Sequence, residues 1–131
     1  MMASMSPAFW LALGLAGALG AMARFGLNYW MMQWFGREFP WGIFSINILG
    51  SFLIGFLGVF LLSKLHWDEP QRIVVLTGFL GAFTTFSAFS IDALTLLERG
   101  TWLLAMFYIV GSVTFALLAA RGGMLLAERL L

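Results

Sequence analysis

The stretch Gly81-Ala-Phe-Thr-Thr-Phe-Ser-Ala-Phe-Ser90, GAFTTFSAFS, sets four hydroxyls among three phenylalanines. Sequence apolar enough to dissolve in lipid flanks it on both sides. The surrounding segment, about residues 70–97, would span about 42 Å as one continuous helix, against a hydrocarbon core of about 30 Å. Its midpoint falls at Phe83–Thr84. Gly78 and Gly81 precede that point, and the β-branched pair Thr84–Thr85 weakens helix further. The expectation is a helix broken near mid-membrane, with backbone carbonyls left for something to satisfy.

Composition supplies the setting. Of 131 residues, 62% are hydrophobic and 10% charged, and the mean hydropathy is +0.97. A soluble domain of this size needs a charged surface that this chain cannot provide. A net charge of +1 gives no reason to expect a nucleic-acid partner. The absence of cysteine excludes disulfides, thiolate metal sites and cysteine nucleophiles. The head of the chain, MMASMSPAFW, has no basic region, so a first spanning helix fits it better than a cleaved leader.

Four stretches reach the ~20 apolar residues that a spanning helix requires: about 7–32, 41–63, 70–97 and 102–126. The fold class expected is an all-α membrane protein, one four-helix domain over residues 1–131. Short connectors hold most of the charge, and Trp30, Trp34, Trp41, Trp67 and Trp102 fall near span ends. Asp68-Glu69-Pro70 suits a helix start. Lysine and arginine are divided almost evenly between the two sides, which leaves a weak orientation bias or a dual topology of antiparallel copies. Small residues at one-turn spacing (Gly14/Ala18, Ser51/Gly55, Ala119/Gly123 among them) allow close helix approach. Four helices are too few to enclose a pathway, so transport calls for an oligomer.

Polar residues within spans are functional suspects. Arg24, about 26 Å beyond Pro7, falls near the far interface, where anchoring or a vestibule charge both fit. Asn47 lies about 9 Å into the second span, with Ser51 one turn on; interhelical bonding and a pathway role are both open to it. Tyr108 and Ser112, one turn apart, read as two satisfied hydroxyls or as the wall of a polar track. In an antiparallel pair, a mid-span break lies near the two-fold axis. Two carbonyls from each copy would make an oxygen cage suited to a monovalent cation such as Na⁺.

TGFLGAFTTFSAFS (77–90), WGIFSINILGSFLIG (41–55) and GALGAMARF (17–25) together resemble the Fluc-type fluoride channels, the CrcB family. The resemblance runs along nearly the whole chain. It implies an antiparallel dual-topology homodimer in the cell membrane, passive fluoride export that limits fluoride toxicity, and a structural Na⁺ at the dimer centre. Gly81 and Thr84 would give the cation its carbonyls. Phe86 and Phe89 would line the pathways with Asn47, Thr85, Ser87, Tyr108 and Ser112, while Arg24 matches a first-helix arginine. Ala88 stands where relatives often carry a hydroxyl, and Ala116, one turn after Ser112, ends the polar track earlier than in some relatives. The chemistry agrees: fluoride needs hydrogen-bond donors in place of water, and the positive edges of phenyl rings can face an anion without trapping it.

Two other classes compete. A small proton-coupled multidrug exporter shares the size and span count, yet it needs a membrane-embedded carboxylate, and the only acid that could lie within a span is Asp92. A non-transporting membrane subunit would show no flux. No nucleophile–base set suggests an enzyme; His66, the single histidine, falls in a loop.

Overall fold

The computed structural model describes residues 5–131, so the first four residues of the chain's head lie outside it. Helix α1 is Pro7–Phe35 and α2 is Trp41–Ser63. A third span begins with α3, Glu69–Ile73, widens into a π-helical segment, Val74–Leu80, and continues as α4, Gly81–Phe83. Then α5, Phe86–Glu98, follows two extended residues, and α6 is Trp102–Arg129. Four helical runs are long and apolar enough to cross a membrane: 7–35, 41–63, 69–98 and 102–129. The chain is a multi-pass membrane protein. The first and last spans run three residues further than hydropathy alone indicates, because backbone hydrogen bonding carries on into Trp34, Phe35 and the closing Glu-Arg pair.

Local chemistry marks the helix ends. Ser6 Oγ accepts the Phe9 amide at 3.2 Å, with proline in the first turn. Gly36 closes α1 at φ 78°, a conformation that favours glycine. At the start of α3, Asp68 Oδ1 accepts the Gln71 amide at 3.0 Å, and Gln71 Oε1 accepts the Asp68 amide at 3.2 Å. The helix start at Asp68-Glu69-Pro70 is therefore a reciprocal capping box.

Helix α2 packs along α6 with their backbones in close approach. A side chain at Gly55 would strike the Ala120 carbonyl, and one at Gly123 would strike that of Phe52. Likewise α1 seats on the π-helical segment, where Gly20 leaves room for the Phe79 carbonyl. Lipid tails give no hydrophobic drive between helices, so such contacts must supply dispersion through close fit. Two buried apolar clusters flank the interruption. One joins Phe39, Phe44, Ala93, Leu96 and Tyr108; the other joins Ile43, Ile46, Leu80 and Phe83.

The adjacent glycines of α6 separate packing from propensity. Gly123→Ala drives a methyl into the α2 backbone and should cost about 1–3 kcal/mol, as overpacking does. Gly122 faces open space, so Gly122→Ala should be neutral or stabilise by up to about 1 kcal/mol. Thermal unfolding in detergent, followed by tryptophan fluorescence, checks the contrast; equal melting temperatures would refute the close approach.

Candidate functional site

The third span changes course at Thr84 (φ −82°, ψ 158°) and Thr85 (φ −154°, ψ 124°), both in extended backbone. Beyond the Thr84 amide the usual i−4 bonds lapse, and side chains take over. The Thr85 amide, which an unbroken helix would give to Gly81, donates to Asn47 Oδ1 at 2.8 Å. Asn47 Nδ2 in turn donates to the Thr85 carbonyl at 2.9 Å. One side-chain amide thus satisfies both backbone groups of one residue. Its second N–H remains for another acceptor.

Thr85 also starts α5. Its Oγ1 accepts the Ala88 amide at 3.1 Å, a bond that in a continuous helix would go to the Thr84 carbonyl. Thr84 Oγ1 donates to the Leu80 carbonyl at 3.1 Å, beside the Thr84 amide at 3.0 Å. Arg24 Nε donates to the Ala82 carbonyl at 3.2 Å. Gly81 and Thr84 are therefore two carbonyls deprived of their helical partners by named bonds elsewhere.

A partly open cavity of about 280 Å³ lies beside this turn. Asn47, Ser51, Thr84, Thr85, Phe86, Phe89, Ser112 and Ala116 are among its lining, and no charged residue is. The structure thus brings together Asn47, Thr85, Phe86, Phe89 and Ser112 from three helical runs. Ser112 is 6% exposed, and its Oγ has no hydrogen-bond partner. The other span hydroxyls at Ser51, Thr84, Ser90 and Thr95 all donate to the carbonyl four residues earlier. An unspent donor on a cavity wall is what sets Ser112 apart. Phe86 and Phe89 rings lie 5.4 Å apart, and Phe86 is 77% exposed on the single chain.

Three residues stand elsewhere. Tyr108, which the family resemblance puts on the polar track with Ser112, is 0% exposed and does not line the cavity. Its hydroxyl donates to Asp92 Oδ2 at 3.2 Å, and its ring lies 5.2 Å from that of Phe89. Ser87 also lies off the cavity, its Oγ 3.2 Å from Thr85 Oγ1. Arg24 belongs at the level of Ala82, not near the far interface, because α1 extends well past it to Phe35. Asp92 enters the sequence reading only as the one acid that could lie within a span, and a lone acid among apolar residues is the signal that it needs a donor such as Tyr108. Ala88 packs within the buried cluster around Phe83, whereas Ala116 faces the cavity.

The double bond to Thr85 makes Asn47 sensitive to its chemistry. Asn47→Asp keeps the acceptor but loses the donor, leaving the Thr85 carbonyl facing a carboxylate. Breaking a buried bond of this kind costs about 1–3 kcal/mol. A lower melting temperature is expected for Asn47→Asp than for Ser51→Ala, whose hydroxyl bonds only its own helix; the reverse order would refute the assignment.

The family described as "CrcB-like protein, Camphor Resistance (CrcB)" matches residues 11–124. A protein of Rhizobium meliloti (strain 1021), named fluoride-specific ion channel FluC, is 46% identical over 116 residues, 88% of this chain and 93% of its own. One of Magnetococcus marinus with the same name is 45% identical over 119 residues, 91% and 95% respectively. Another, of Agrobacterium fabrum, is 42% identical over 114 residues, 87% and 91%. Match and relatives alike run from the first span through the last, across the interrupted segment and its Asn47 partner, and the chain belongs to the CrcB family.

Proposed function

We infer that this protein is a channel that passes fluoride passively across the membrane and lowers the fluoride held in the cell. The observation that carries the reading is the charge-free cavity in which the unspent Ser112 hydroxyl and the second Asn47 N–H stand beside Phe86 and Phe89. Fluoride gives up water only for donors, and a full positive charge would hold it too long to conduct. A neutral amide, a hydroxyl and the positive edges of phenyl rings form a weaker series of contacts. The relatives named fluoride-specific ion channel agree with this chemistry.

The pathway is completed by a second copy of the chain. With Phe86 largely exposed on one copy, a wall is missing on the side where the cavity opens. Antiparallel pairing, supported by the even charge balance, would supply it by bringing two interrupted third spans together near a common axis. At the interruption, the carbonyl end of the first half-helix meets the amide end of α5. The negative end favours a cation and the positive end an anion.

The same break suits a structural Na⁺. The fit rests on Gly81 and Thr84, whose carbonyls have lost their helical partners to Asn47 and Thr85. No cluster of three His, Cys, Asp or Glu exists among the described residues, so neutral oxygens are the ligands on offer, and these suit a monovalent ion. The ion would hold the copies together and stay in place; Asn47, Phe86, Phe89 and Ser112 meet the fluoride.

Efflux from liposomes holding the purified protein tests the function. Fluoride should leave and chloride should stay; chloride loss at a comparable rate would defeat the reading. Phe86→Ile and Phe89→Ile should each abolish fluoride efflux while the dimer survives on size exclusion, and wild-type rates would remove the rings from the path. Replacing Na⁺ by N-methylglucamine should lower the melting temperature of the dimer, and an unchanged melt would remove the cation.

A further inference from the structure

Arg24 carries a full positive charge into the middle of α1, and its one hydrogen bond runs to the Ala82 carbonyl, 3.2 Å from Nε. The only ion pair among the described residues is Arg121–Glu128. The guanidinium is thus anchored by a helix end instead of a carboxylate. That arrangement is favourable, because the last carbonyls of a helix carry partial negative charge and charge-assisted bonds are among the stronger ones.

The position is fixed from below. Gly20, one turn before Arg24, lies so close to the Phe79 carbonyl that a side chain there would collide with it. Gly17 faces the Gly78 carbonyl. With α1 seated on the π-helical segment by these glycines, a long side chain one turn later reaches the next exposed carbonyl of the third span, which is that of Ala82.

Among the carbonyls around the turn, those of Leu80, Ala82 and Thr85 have named donors. Leu80 takes the Thr84 amide and hydroxyl, and Ala82 takes Arg24. The donors that would have met Gly81 and Thr84 go to Asn47 and Thr85 Oγ1. Ala82 lies about 100° around the helix from Gly81. A free carbonyl there would offer a cation a competing direction and let the helix end fray.

We propose that Arg24 is a positioning residue for the cation: by occupying the Ala82 carbonyl it leaves those of Gly81 and Thr84 as the ligands presented. The proposal rests on the sodium reading above and is tested apart from it. Full-length protein in detergent is titrated with NaCl against N-methylglucamine chloride at constant ionic strength, and unfolding is followed by tryptophan fluorescence. Wild type gives a Na⁺ midpoint for stabilisation. Arg24→Ala should raise that midpoint about tenfold, the equivalent of one charge-assisted bond. Arg24→Lys should fall between, since its ammonium can still donate. As a control, Leu96→Ala removes a buried side chain (2% exposed) far from the turn; it should lower the melting temperature at every Na⁺ concentration without moving the midpoint. Should Arg24→Ala fail to fold, Arg24→Lys and Arg24→Gln make the same comparison. Unchanged midpoints in the arginine variants overturn the proposal, as do lower ones, which would mean the guanidinium chiefly repels the ion. A wild-type melt indifferent to Na⁺ overturns the sodium reading itself, and this proposal with it.

Discussion

Two hydrogen bonds between the Asn47 side chain and the Thr85 backbone carry the architecture of this protein. A chain in lipid has no water to satisfy an interrupted helix, and each unpaired backbone group there costs several kcal/mol. The amide of asparagine matches a peptide group in donor and acceptor, so it can stand in for the helical neighbours that Thr85 lacks. Its placement depends on the rest of the bundle. Helix α2 is held against α6 at Gly55 and Gly123, and Gly50 leaves space for the Thr84 methyl one turn from Asn47. A larger residue at any of these three positions would shift α2 relative to the turn.

That clasp also divides polar resources between structure and function. Four span hydroxyls, at Ser51, Thr84, Ser90 and Thr95, are spent on carbonyls one turn back in their own runs, bonds that slightly disfavour a straight helix. Two groups among the cavity lining keep an uncommitted donor, the second N–H of Asn47 and Ser112 Oγ. Tyr108 is diverted to Asp92, and its ring becomes a wall behind Phe89. The partnership gives a carboxylate inside a span a neutral donor for company, which is the opposite of what a proton-coupled cation exporter asks of its acid. Asp92 lines only a small pocket of about 50 Å³ beside Arg37 and Arg99, apart from the cavity where Phe86 and Phe89 meet Ser112.

Much of this was legible in the residues. Hydropathy defines the four spans, because about 20 consecutive apolar residues have few other uses, and Asp68-Glu69-Pro70 announces its helix start through capping chemistry alone. The one-turn spacing of Asn47 and Ser51 correctly puts them on one face. At Tyr108 and Ser112, which also share a face, spacing leaves satisfied hydroxyls and a track wall both open, because which hydroxyl reaches a cavity depends on the rotamer and on Asp92 sixteen residues earlier. The π-helical segment Val74–Leu80 leaves no mark in composition, since an i→i+5 pattern differs from α-helix only in bond partners. Arg24 was misplaced for a related reason: counting 1.5 Å per residue along α1 gives depth within one helix, but not which carbonyl of another helix stands at that depth.

The two alanines of the interrupted region show why a substitution's meaning depends on where a side chain points. Ala88 gives its amide to Thr85 and packs its methyl among Ile43, Leu80 and Phe83. A hydroxyl there would enter an apolar cluster, so alanine suits the position and costs the cavity nothing. Ala116 does face the cavity, one turn beyond Ser112. Here the missing hydroxyl shortens the row of donors along α6, and an anion passing this wall meets Ser112 and then carbon. On the fluoride reading proposed above, Asn47 and the ring edges of Phe86 and Phe89 would then replace more of the ion's water. On that reading the phenylalanines would stand in for part of a hydroxyl row instead of supplementing it.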